Sequence, residues 1–417
     1  MHHFNYKEDD LYCEEVNVSK IAEEVGTPFF LYSHATLTRH FEAFDKAFAE
    51  VPHLVCYSVK ANSNLAVLRL FSGLGGGADI VSGGELFRAI KAGIDPDKIV
   101  YSGVGKKEEE MEYALKENIL MFNVESHQEL DALNTVAGRM GKKARISLRV
   151  NPDVDPKTHP YISTGLKQNK FGIPISDALS EYRYANSLEN IEVVGVDCHI
   201  GSQLTQTQPF VDALKKVKAL VLQLRDEGIN IKYLDLGGGL GITYDEEEPP
   251  HPTDYGKAII AETKDLGVIL VFEPGRVIVG NAGVLVSKVT YTKEGEEKNF
   301  IIGDAGMNDL ARPSLYGSYQ GIMAVKKSDE ALIVADVVGP ICESGDFLAK
   351  DREVQPFKPG DLFAVASSGA YGFTMSSNYN SRRRAAEVMV KGDSFEVIRE
   401  REEYSDLVKG EKIPSFL

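Results

Sequence analysis

Residues 54–62 read LVCYSVKAN, a short and mostly apolar run that ends in a charged lysine before Ala61 and Asn62. Runs of this length and composition are typical of buried strands. The stretch 54–59 therefore predicts a strand, and Lys60 stands at its carboxyl end. Further runs of the same kind follow along the chain, at 78–82, 98–103, 120–124, 144–150, 191–200, 232–236 and 268–273.

The segments between these runs have the periodicity of helices. Apolar residues recur at spacings of three and four in GELFRAIKAG, KKEEEMEYALKEN, SHQELDALNTVAG and PFVDALKKVKALVLQLRDEG, as on the buried face of a helix. A helix is also expected to begin at Ser33, since serine caps helix N-termini. Eight strands that alternate with helices predict an α/β fold of the (β/α)8 TIM barrel type. A doubly wound open sheet is the structural alternative.

Beyond Arg276 the pattern changes to short strand-like runs separated by turn residues. Such a run of strands with few helical segments predicts a second, all-β domain of the sandwich or barrel-like type. We assign 33–276 to the barrel and 1–32 with 277–417 to the β domain. The runs are VLVSKVTYT, NFIIGD, ALIVADVVG, DLFAVASSG, AAEVMV and FEVIRE.

Net charge, apolar runs and cysteine spacing exclude several classes of partner and site. A formal net charge of -16 argues against nucleic acids and anionic membranes, which bind clustered Lys and Arg. No apolar run approaches the length of a membrane span, and the N-terminus lacks the basic and apolar regions of a signal peptide. Cys13, Cys56, Cys198 and Cys342 lie far apart with no C-x-x-C pair, so neither a metal site nor a disulfide framework is expected. We expect a cytoplasmic protein.

Chemistry-bearing residues stand at the predicted strand ends, where the active site of a (β/α)8 barrel is built. A partly desolvated Lys60 would have a lowered amine pKa and could form a Schiff base; a lysine that extends to solvent is the alternative. Gly237, Gly238 and Gly239 would let the backbone approach an anion closely, or would form an ordinary tight turn. Neither this stretch nor residues 73–78 fit a dinucleotide-binding fingerprint.

Glu273 ends the last strand of the predicted barrel, where a buried carboxylate needs a cation or a donor. The ring nitrogen of pyridoxal phosphate would supply one, and an ion pair with Arg276 that closes a turn is the alternative. His199 could stack on a cofactor ring or be a core histidine bonded to backbone. A lysine, an anion nest, a carboxylate and an aromatic face together match the requirements of pyridoxal 5'-phosphate.

Motifs along nearly the whole chain resemble those of the diaminopimelate decarboxylases, a family with the alanine-racemase-type barrel of the fold type III pyridoxal phosphate enzymes. The motifs are SVKAN (58–62), TGLKQNKFG (164–172), HIGSQ (199–203), LDLGGGLGI (234–242), EPGR (273–276), DAGMNDLARPSLYGSYQ (304–320), VVGPICESGD (337–346) and GAYGFTMSSNYNSR (369–382).

The resemblance implies a lysine-forming decarboxylase of meso-2,6-diaminopimelate. It implies that Lys60 carries the cofactor as a Schiff base, that His199 lies against the ring and that Glu273 meets its nitrogen. The residues implied to hold the phosphate are Ser202, Gly238, Gly239, Gly275, Arg276 and Tyr371. It also implies a homodimer with shared active sites, to which the β domain contributes substrate and dimer contacts.

The resemblance further implies substrate roles for β-domain residues. Arg276, Arg312, Tyr316 and Tyr371 would hold the distal end of the substrate by its carboxylate, and charge-assisted hydrogen bonds suit that purpose. In the partner's site, Glu343 would hold the distal ammonium and Cys342 would return a proton. From the residues alone, Arg312 and Tyr316 could equally serve surface salt bridges and turns, and Cys342 could be a small buried hydrophobe.

Other activities could use the same apparatus. Decarboxylases of ornithine, arginine or a carboxylated polyamine generally act on substrates without a distal amino acid end, and they tend to lack a paired arginine clamp. Non-catalytic pyridoxal phosphate carriers resemble single barrels without the long second domain. A racemase would need a second acid-base residue on the opposite ring face, which no motif here places.

Overall fold

The computed structural model describes residues 2–154 and 170–417. Residues 164–169 of the TGLKQNKFG motif lie outside them. The chain divides into two compact units, with boundaries between Leu37 and Thr38 and between Ile278 and Val279. The inner residues form the barrel unit, and the outer residues together with Tyr244–Glu246 form the sheet unit. The domain boundaries at 33 and 276 stay a prediction.

The N-terminal part of the chain consists of short elements. Its first strands form an antiparallel sheet of their own, and the Ser33 hydroxyl accepts the Thr36 N–H at 3.0 Å, so Ser33 caps the helix predicted after it. The elements are β1 (Phe4–Lys7), β2 (Asp10–Cys13), β3 (Val16–Asn17), α1 (Val18–Val25), β4 (Phe29–Ser33) and α2 (His34–Lys46).

Strands and helices alternate through the barrel unit. Each predicted strand overlaps an observed one, although several end earlier than predicted. The strands are β5 (His53–Ser58), β6 (Gly77–Ile80), β7 (Ile99–Tyr101), β8 (Met121–Val124), β9 (Ala144–Asn151), β10 (Ile173–Pro174), β11 (Ile191–Asp197), β12 (Tyr233–Asp235) and β13 (Ile269–Phe272). The helices are α3 (Leu65–Gly73), α4 (Gly83–Lys91), α5 (Glu108–Glu117), α6 (His127–Arg139), α7 (Ile175–Ser187), α8 (Gln208–Asp226), α9 (Pro252–Thr263) and α10 (Arg276–Val279).

The strands of the barrel unit close on themselves. Among the described residues, β5 to β9 and β11 to β13 pair in parallel, in the order β5-β6-β7-β8-β9-β11-β12-β13. The ring is completed by β13 beside β5, where Phe272 faces Val55, and by β8 beside β9, where Phe122 faces Ile146. The (β/α)8 barrel is therefore confirmed, and the doubly wound open sheet is excluded.

Helix α2 and the segment after it cover one side of the barrel with aromatic side chains. The Phe48 ring stacks on Phe272 of β13 at a centroid distance of 3.9 Å. The Phe44 ring meets the same side chain edge-on at 5.8 Å. Such buried aromatic contacts contribute packing energy beyond their apolar area, and they hold β13 at the position from which Glu273 follows.

The sheet unit is built mainly of strands, as predicted. Besides β1 to β4 and α1, its elements are β14 (Gly283–Lys293), β15 (Asn299–Gly303), α11 (Arg312–Tyr316), β16 (Ile322–Ala324), β17 (Ile333–Val338), β18 (Phe347–Val354), β19 (Leu362–Val365), β20 (Ala386–Lys391), β21 (Ser394–Arg399) and α12 (Tyr404–Leu407). The main path runs β18-β17-β15-β14-β4-β20-β21, and β19 pairs with β14 and β16. Residues 29–33 therefore supply an inner strand of this sheet, antiparallel to β14 and parallel to β20.

Beyond Val279, strands β18 and β16 have no counterpart in the sequence prediction, and neither do β1 to β4 at the start of the chain. Strand β18 reads FLAKDREV, in which a charged run replaces the apolar pattern because the strand lies at the sheet edge. Edge strands commonly carry charge, which blocks pairing with other chains. Strand β16 has only three residues.

Over the described part of the chain, no helix has the length and apolar character needed to cross a membrane.

Candidate active site

Lys60 lies one turn beyond the end of β5. The strand ends at Ser58, and Lys60 follows in a short 3-10 turn, Val59–Ala61. Its Nζ donates to Asp79 Oδ2 at 2.8 Å; the Lys60 side chain is 42% exposed and the Asp79 side chain is fully buried. The Ser58 hydroxyl donates to the same carboxylate oxygen. The lysine is therefore accessible but held by a buried acid, rather than extended freely into solvent.

His199 follows β11 and accepts a hydrogen bond from the backbone. The Gly238 N–H donates to His199 Nδ1 at 3.1 Å, so the neutral ring carries its hydrogen on Nε2. Burial, together with the charges of Arg149 and Lys60, places the pKa of His199 well below its ordinary value. The imidazole is neutral, and this geometry fits both the cofactor-facing and the core-histidine interpretation.

The loops after β11, β12 and β13 approach one another through glycines. A Cβ at Gly238 would lie 2.2 Å from the Glu273 carbonyl oxygen, and one at Gly239 would lie 2.3 Å from that of Gly201. Gly239 also has a φ of +111°, which side-chain-bearing residues rarely adopt. Only glycine fits these positions, and the backbone there is open to close approach.

Gly275 and Arg276, which follow β13, lie close to residues that follow other strands of the barrel. The Arg276 Nη2 donates to Ser202 Oγ at 3.2 Å, and a Cβ at Gly275 would lie 3.0 Å from the Cβ atoms of Ser58 and Ala61. The barrel residues predicted to hold a phosphate therefore come together at the carboxyl ends of the strands.

Glu273 is 6% exposed and is hydrogen-bonded rather than ion-paired. Its Oε1 accepts from Ser102 Oγ and from Asn123 Nδ2, each at 3.1 Å. Burial, followed by the neighbouring Asp235 and Asp79 carboxylates, raises the pKa of Glu273 well above its ordinary value. Within residues 2–154 and 170–417 it makes no ion pair with Arg276, so the turn-closing alternative is wrong.

Polar residues inside the strands surround Glu273, and none of them was predicted from the sequence as a site residue. One carboxylate oxygen each from Asp197, Asp235 and Glu273 lie within 4.8 Å of one another. Burial and then Asp197 raise the pKa of Asp235 to about 8. A charged or amide residue within an apolar strand needs a partner. Asp79, Asn123 and Asp235 could have been recognised from the sequence for that reason.

A buried ion pair lies beside this cluster. Arg149 Nη1 donates to Glu125 Oε1 at 2.9 Å, and side chains of both residues are less than a tenth exposed. Glu125 also accepts the backbone N–H groups of Gly103 at 3.0 Å and Gly172 at 2.9 Å. The pair places a guanidinium near the acids and contributes to the low pKa of His199.

In the sheet unit, Arg312 is surrounded by tyrosines. Its guanidinium carbon lies 5.3 Å from the ring centroid of Tyr244, 5.6 Å from that of Tyr316 and 5.9 Å from that of Tyr371. Tyr371 has a φ of +53°, a conformation that non-glycine residues adopt mainly at constrained sites. The structure groups Arg312, Tyr316 and Tyr371 as predicted, and adds Tyr244.

Cys342 and Glu343 lie together elsewhere in the sheet unit. The Cys342 N–H donates to Asn380 Oδ1 at 2.7 Å, the Tyr379 hydroxyl lies 3.5 Å from Glu343 Oε2, and both predicted residues are exposed. Cys342 is therefore not the buried hydrophobe that was the alternative. The Asp346 carboxylate, which accepts the Met307 and Ile341 N–H groups at 2.7 Å, fixes this loop.

Comparison with known proteins identifies the family. Residues 34–280 match the family described as pyridoxal-dependent decarboxylase, pyridoxal binding domain. The chain is also 56% identical to a diaminopimelate decarboxylase of Vibrio cholerae over 98% of both chains. This chain belongs to the diaminopimelate decarboxylase family. A relative of the same name from Pseudomonas aeruginosa is 54% identical, over 98% of this chain and 99% of the relative.

Solved structures of diaminopimelate decarboxylases have the same fold. One from Helicobacter pylori, complexed with L-lysine, has a TM-score of 0.92 at 44% identity, over 94% of this chain and 98% of that one. One from M. jannaschii, in co-complex with L-lysine, has a TM-score of 0.95 at 39% identity, over 99% of this chain and 98% of that one. The barrel with a second, mostly sheet unit is thus the fold of the family.

The barrel residues of this family member suit its cofactor, pyridoxal phosphate. The group requires an amine, an acid for its ring nitrogen and donors for a phosphate. Lys60, Glu273, and the Ser202–Arg276 pair with its neighbouring glycines supply these three kinds of group. The donor set at the strand ends therefore fits the cofactor.

Proposed function

We infer that this chain catalyses the pyridoxal-phosphate-dependent decarboxylation of meso-2,6-diaminopimelate to L-lysine and carbon dioxide, the last step of lysine biosynthesis. The observation that carries the inference is the 56% identity, over 98% of both chains, to a relative named for this activity. We place the protein in the cytoplasm, with neither nucleic acid nor membrane as a partner. Its net charge of -16 argues against both of these partners.

We propose that Lys60 is the residue to which the cofactor is attached. Pyridoxal phosphate, when bound, supplies a conjugated ring that takes up the electron pair left by the departing carboxyl group. Asp79 accepts a hydrogen bond from the Lys60 amine at 2.8 Å. It thereby orients the amine and balances its positive charge until the cofactor binds. Ser202, Gly238, Gly239, Gly275, Arg276 and Tyr371 hold the phosphate.

Glu273 and His199 complete the cofactor site in this proposal. Glu273 supplies the acid that meets the ring nitrogen, and its hydrogen bonds to Ser102 and Asn123 fix the carboxyl group in place. His199 packs its neutral ring on the cofactor. A neutral imidazole suits that position because a cation there would compete with the positive charge that the ring nitrogen must keep.

The sheet unit supplies the substrate contacts. Arg312 and Tyr316, with Arg276 and Tyr371, hold the distal carboxylate of the substrate. The tyrosine rings around Arg312 restrict the guanidinium, so less entropy is lost when the substrate binds. This clamp distinguishes diaminopimelate from ornithine and arginine, which have no distal carboxylate.

We further propose a homodimer with shared active sites. Cys342 of the partner subunit returns the proton to the α-carbon, and Glu343 of the partner subunit holds the distal ammonium. The exposure of both residues within a single chain supports this arrangement, since neither is enclosed by its own subunit.

The activity is tested by carbon dioxide release from the cofactor-loaded protein, with meso-diaminopimelate, L-ornithine, L-arginine and L-lysine offered separately. We expect release from meso-diaminopimelate alone, with L-lysine as the product. Release only from another amino acid would overturn the substrate assignment and keep the reaction. Absence of release from all four would contradict the decarboxylase proposal.

Shared sites are tested by mixing two inactive variants. In a homodimer with one site built from both chains, Lys60→Ala and Cys342→Ala mixed together re-form one intact site in each mixed dimer. When the two variants are mixed in equal amounts, half of the dimers contain one chain of each kind, and one of the two sites in each such dimer is intact. About a quarter of all sites are then intact, so activity should recover to at most about a quarter of the wild-type value. No recovery, after subunit exchange has been demonstrated by mass, would contradict the arrangement.

A further inference from the structure

Asn123 lies in β8 and is fully buried among hydrogen-bond acceptors. Its amide nitrogen Nδ2 lies 3.1 Å from Ser102 Oγ, 3.2 Å from Asp235 Oδ2 and 3.1 Å from Glu273 Oε1. An amide nitrogen carries two hydrogens, and here the two hydrogens are shared among three acceptors. Two of these acceptors are carboxyl oxygens. Asn123 thus links the acid proposed for the cofactor to a second acid.

The orientation of this amide is determined by its surroundings. Ser147 Oγ donates to Asn123 Oδ1 at 2.6 Å. A reversed amide would place Oδ1 against Asp235 and Glu273, whose oxygens are themselves acceptors when ionised. Only the observed orientation provides donors to both acids, and Ser147 fixes it.

The arrangement selects one oxygen of Glu273. Oε1 accepts from both Ser102 and Asn123, so a hydrogen on a neutral Glu273 belongs on the other oxygen, Oε2. Across residues 2–154 and 170–417, Oε2 accepts no hydrogen bond. Because Asp197, Asp235 and Glu273 have oxygens within 4.8 Å of one another, repulsion between like charges favours at least one retained proton in the cluster.

We propose that Asn123 is a positioning residue that directs the proton of Glu273 to Oε2 and stabilises the carboxylate that remains when this proton passes to the ring nitrogen of the cofactor. The proposal rests on the proposed function, which puts the ring nitrogen beside Glu273. In the transfer the O–H bond at Oε2 breaks and an N–H bond forms at the ring. Glu273 becomes an anion, the ring nitrogen becomes a cation, and no further reactant is needed.

The test replaces the amide by an apolar group of similar size, in Asn123→Leu. An N–H bond to a carboxylate favours its ionised form, so its loss should leave the proton on Glu273 and the ring nitrogen unprotonated. The readout is the ¹⁵N NMR signal of ring-labelled pyridoxal phosphate in the loaded protein, measured without substrate. We expect a protonated nitrogen in the wild type and a largely unprotonated one in the variant. We also expect kcat to decrease by about 10–100-fold with KM retained, the size found for residues that orient metal ligands through hydrogen bonds.

Asn134→Leu is the matched control. It changes an amide of the same barrel that bonds to the Asn190 N–H at 3.1 Å, and it should leave the nitrogen signal unchanged. If Asn123→Leu does not fold, Ser147→Ala removes the donor that fixes the amide and should decrease the protonated fraction in the same direction. An unprotonated ring nitrogen in the wild type, or a wild-type signal in every folded variant at Asn123 and Ser147, would overturn the proposal.

The same measurements separate this proposal from the proposed function. A wild type that releases carbon dioxide while Asn123→Leu keeps the wild-type nitrogen signal would leave the function standing and refute the role of Asn123. A wild type that binds the cofactor but decarboxylates nothing would refute the function, and the nitrogen signal would still decide whether Asn123 controls the proton. Failure to bind the cofactor at all would overturn both.

Discussion

Glu85 should make the cofactor-free protein less stable as the pH rises. The residue lies in the first turn of α4, where its Oε2 accepts the Val81 N–H at 2.8 Å. Burial raises its pKa from 4.5 to about 7, against the hydrogen bond from Val81 and the charge of Lys60, which lower it. The folded state therefore holds a proton on Glu85 that the unfolded state releases near pH 4.5.

The sign and size of the effect follow from this shift. Between pH 4.5 and about 7 the folded state binds more protons than the unfolded state, so the free energy of unfolding falls as the pH rises. A difference of 2.5 pH units between 4.5 and about 7 corresponds to about 3.4 kcal/mol at ~1.36 kcal/mol per unit. Glu85→Gln keeps an oxygen for Val81 and removes the ionisation, so it should stabilise the protein by up to about 3 kcal/mol at pH 8.5 and by nearly nothing at pH 4.5.

The free energy of unfolding is measured by guanidinium unfolding at the two pH values. Far-UV circular dichroism is the signal, because the chain has no tryptophan whose fluorescence could be followed. Glu110→Gln is the control with the opposite sign. Although burial acts against it, hydrogen bonds from the Gly83 and Lys107 N–H groups lower the pKa of Glu110, so its stabilising contribution is present at neutral pH and is lost in acid. The reasoning is refuted if Glu85→Gln destabilises the protein at pH 8.5, or if its effect is the same at both pH values.

Three further changes test the site. Lys60→Ala should remove the visible absorption of the attached cofactor, and an unchanged spectrum would contradict the assignment. Gly238→Ala should abolish cofactor binding, because its Cβ would lie 2.2 Å from the Glu273 carbonyl oxygen, whereas Gly73→Ala, with nothing within 4 Å, should bind normally in an equilibrium titration. Cys342→Ala should decrease carbon dioxide release by about 10²-fold or more with the cofactor still bound; full turnover would exclude its acid role.

The barrel could be predicted because its parallel strands are buried on both faces and so appear as continuous apolar runs. The residues at the carboxyl ends of these runs followed from the architecture alone, as Lys60 and Glu273 show. Their partners did not, because pairing register decides them. Asp79 faces Ser58 across β5 and β6, and nothing in the sequence of either strand specifies that register.

The sheet unit was harder to predict in detail. Beyond Val279 its apolar strands were predicted except the three-residue β16, and β18 was missed because its charged run lacks an apolar pattern. The apolar strand β4, whose five residues are all buried, was not predicted either. The grouping of Arg312 with Tyr371 depends on contacts between residues far apart in sequence. The addition of Tyr244 depends on a loop that leaves the barrel part of the chain, and no local pattern indicates such an excursion.

The position of β4 has a consequence for biosynthesis. Its five residues are all buried, yet both of its neighbours, β14 and β20, are made only after the barrel segment has been translated. At ~5–20 residues per second, the roughly 250 residues between Ser33 and Gly283 occupy about 12–50 s on the ribosome. During that time the stretch FFLY lacks both of its native partner strands, so its apolar side chains are open to chaperones that recognise apolar nascent segments.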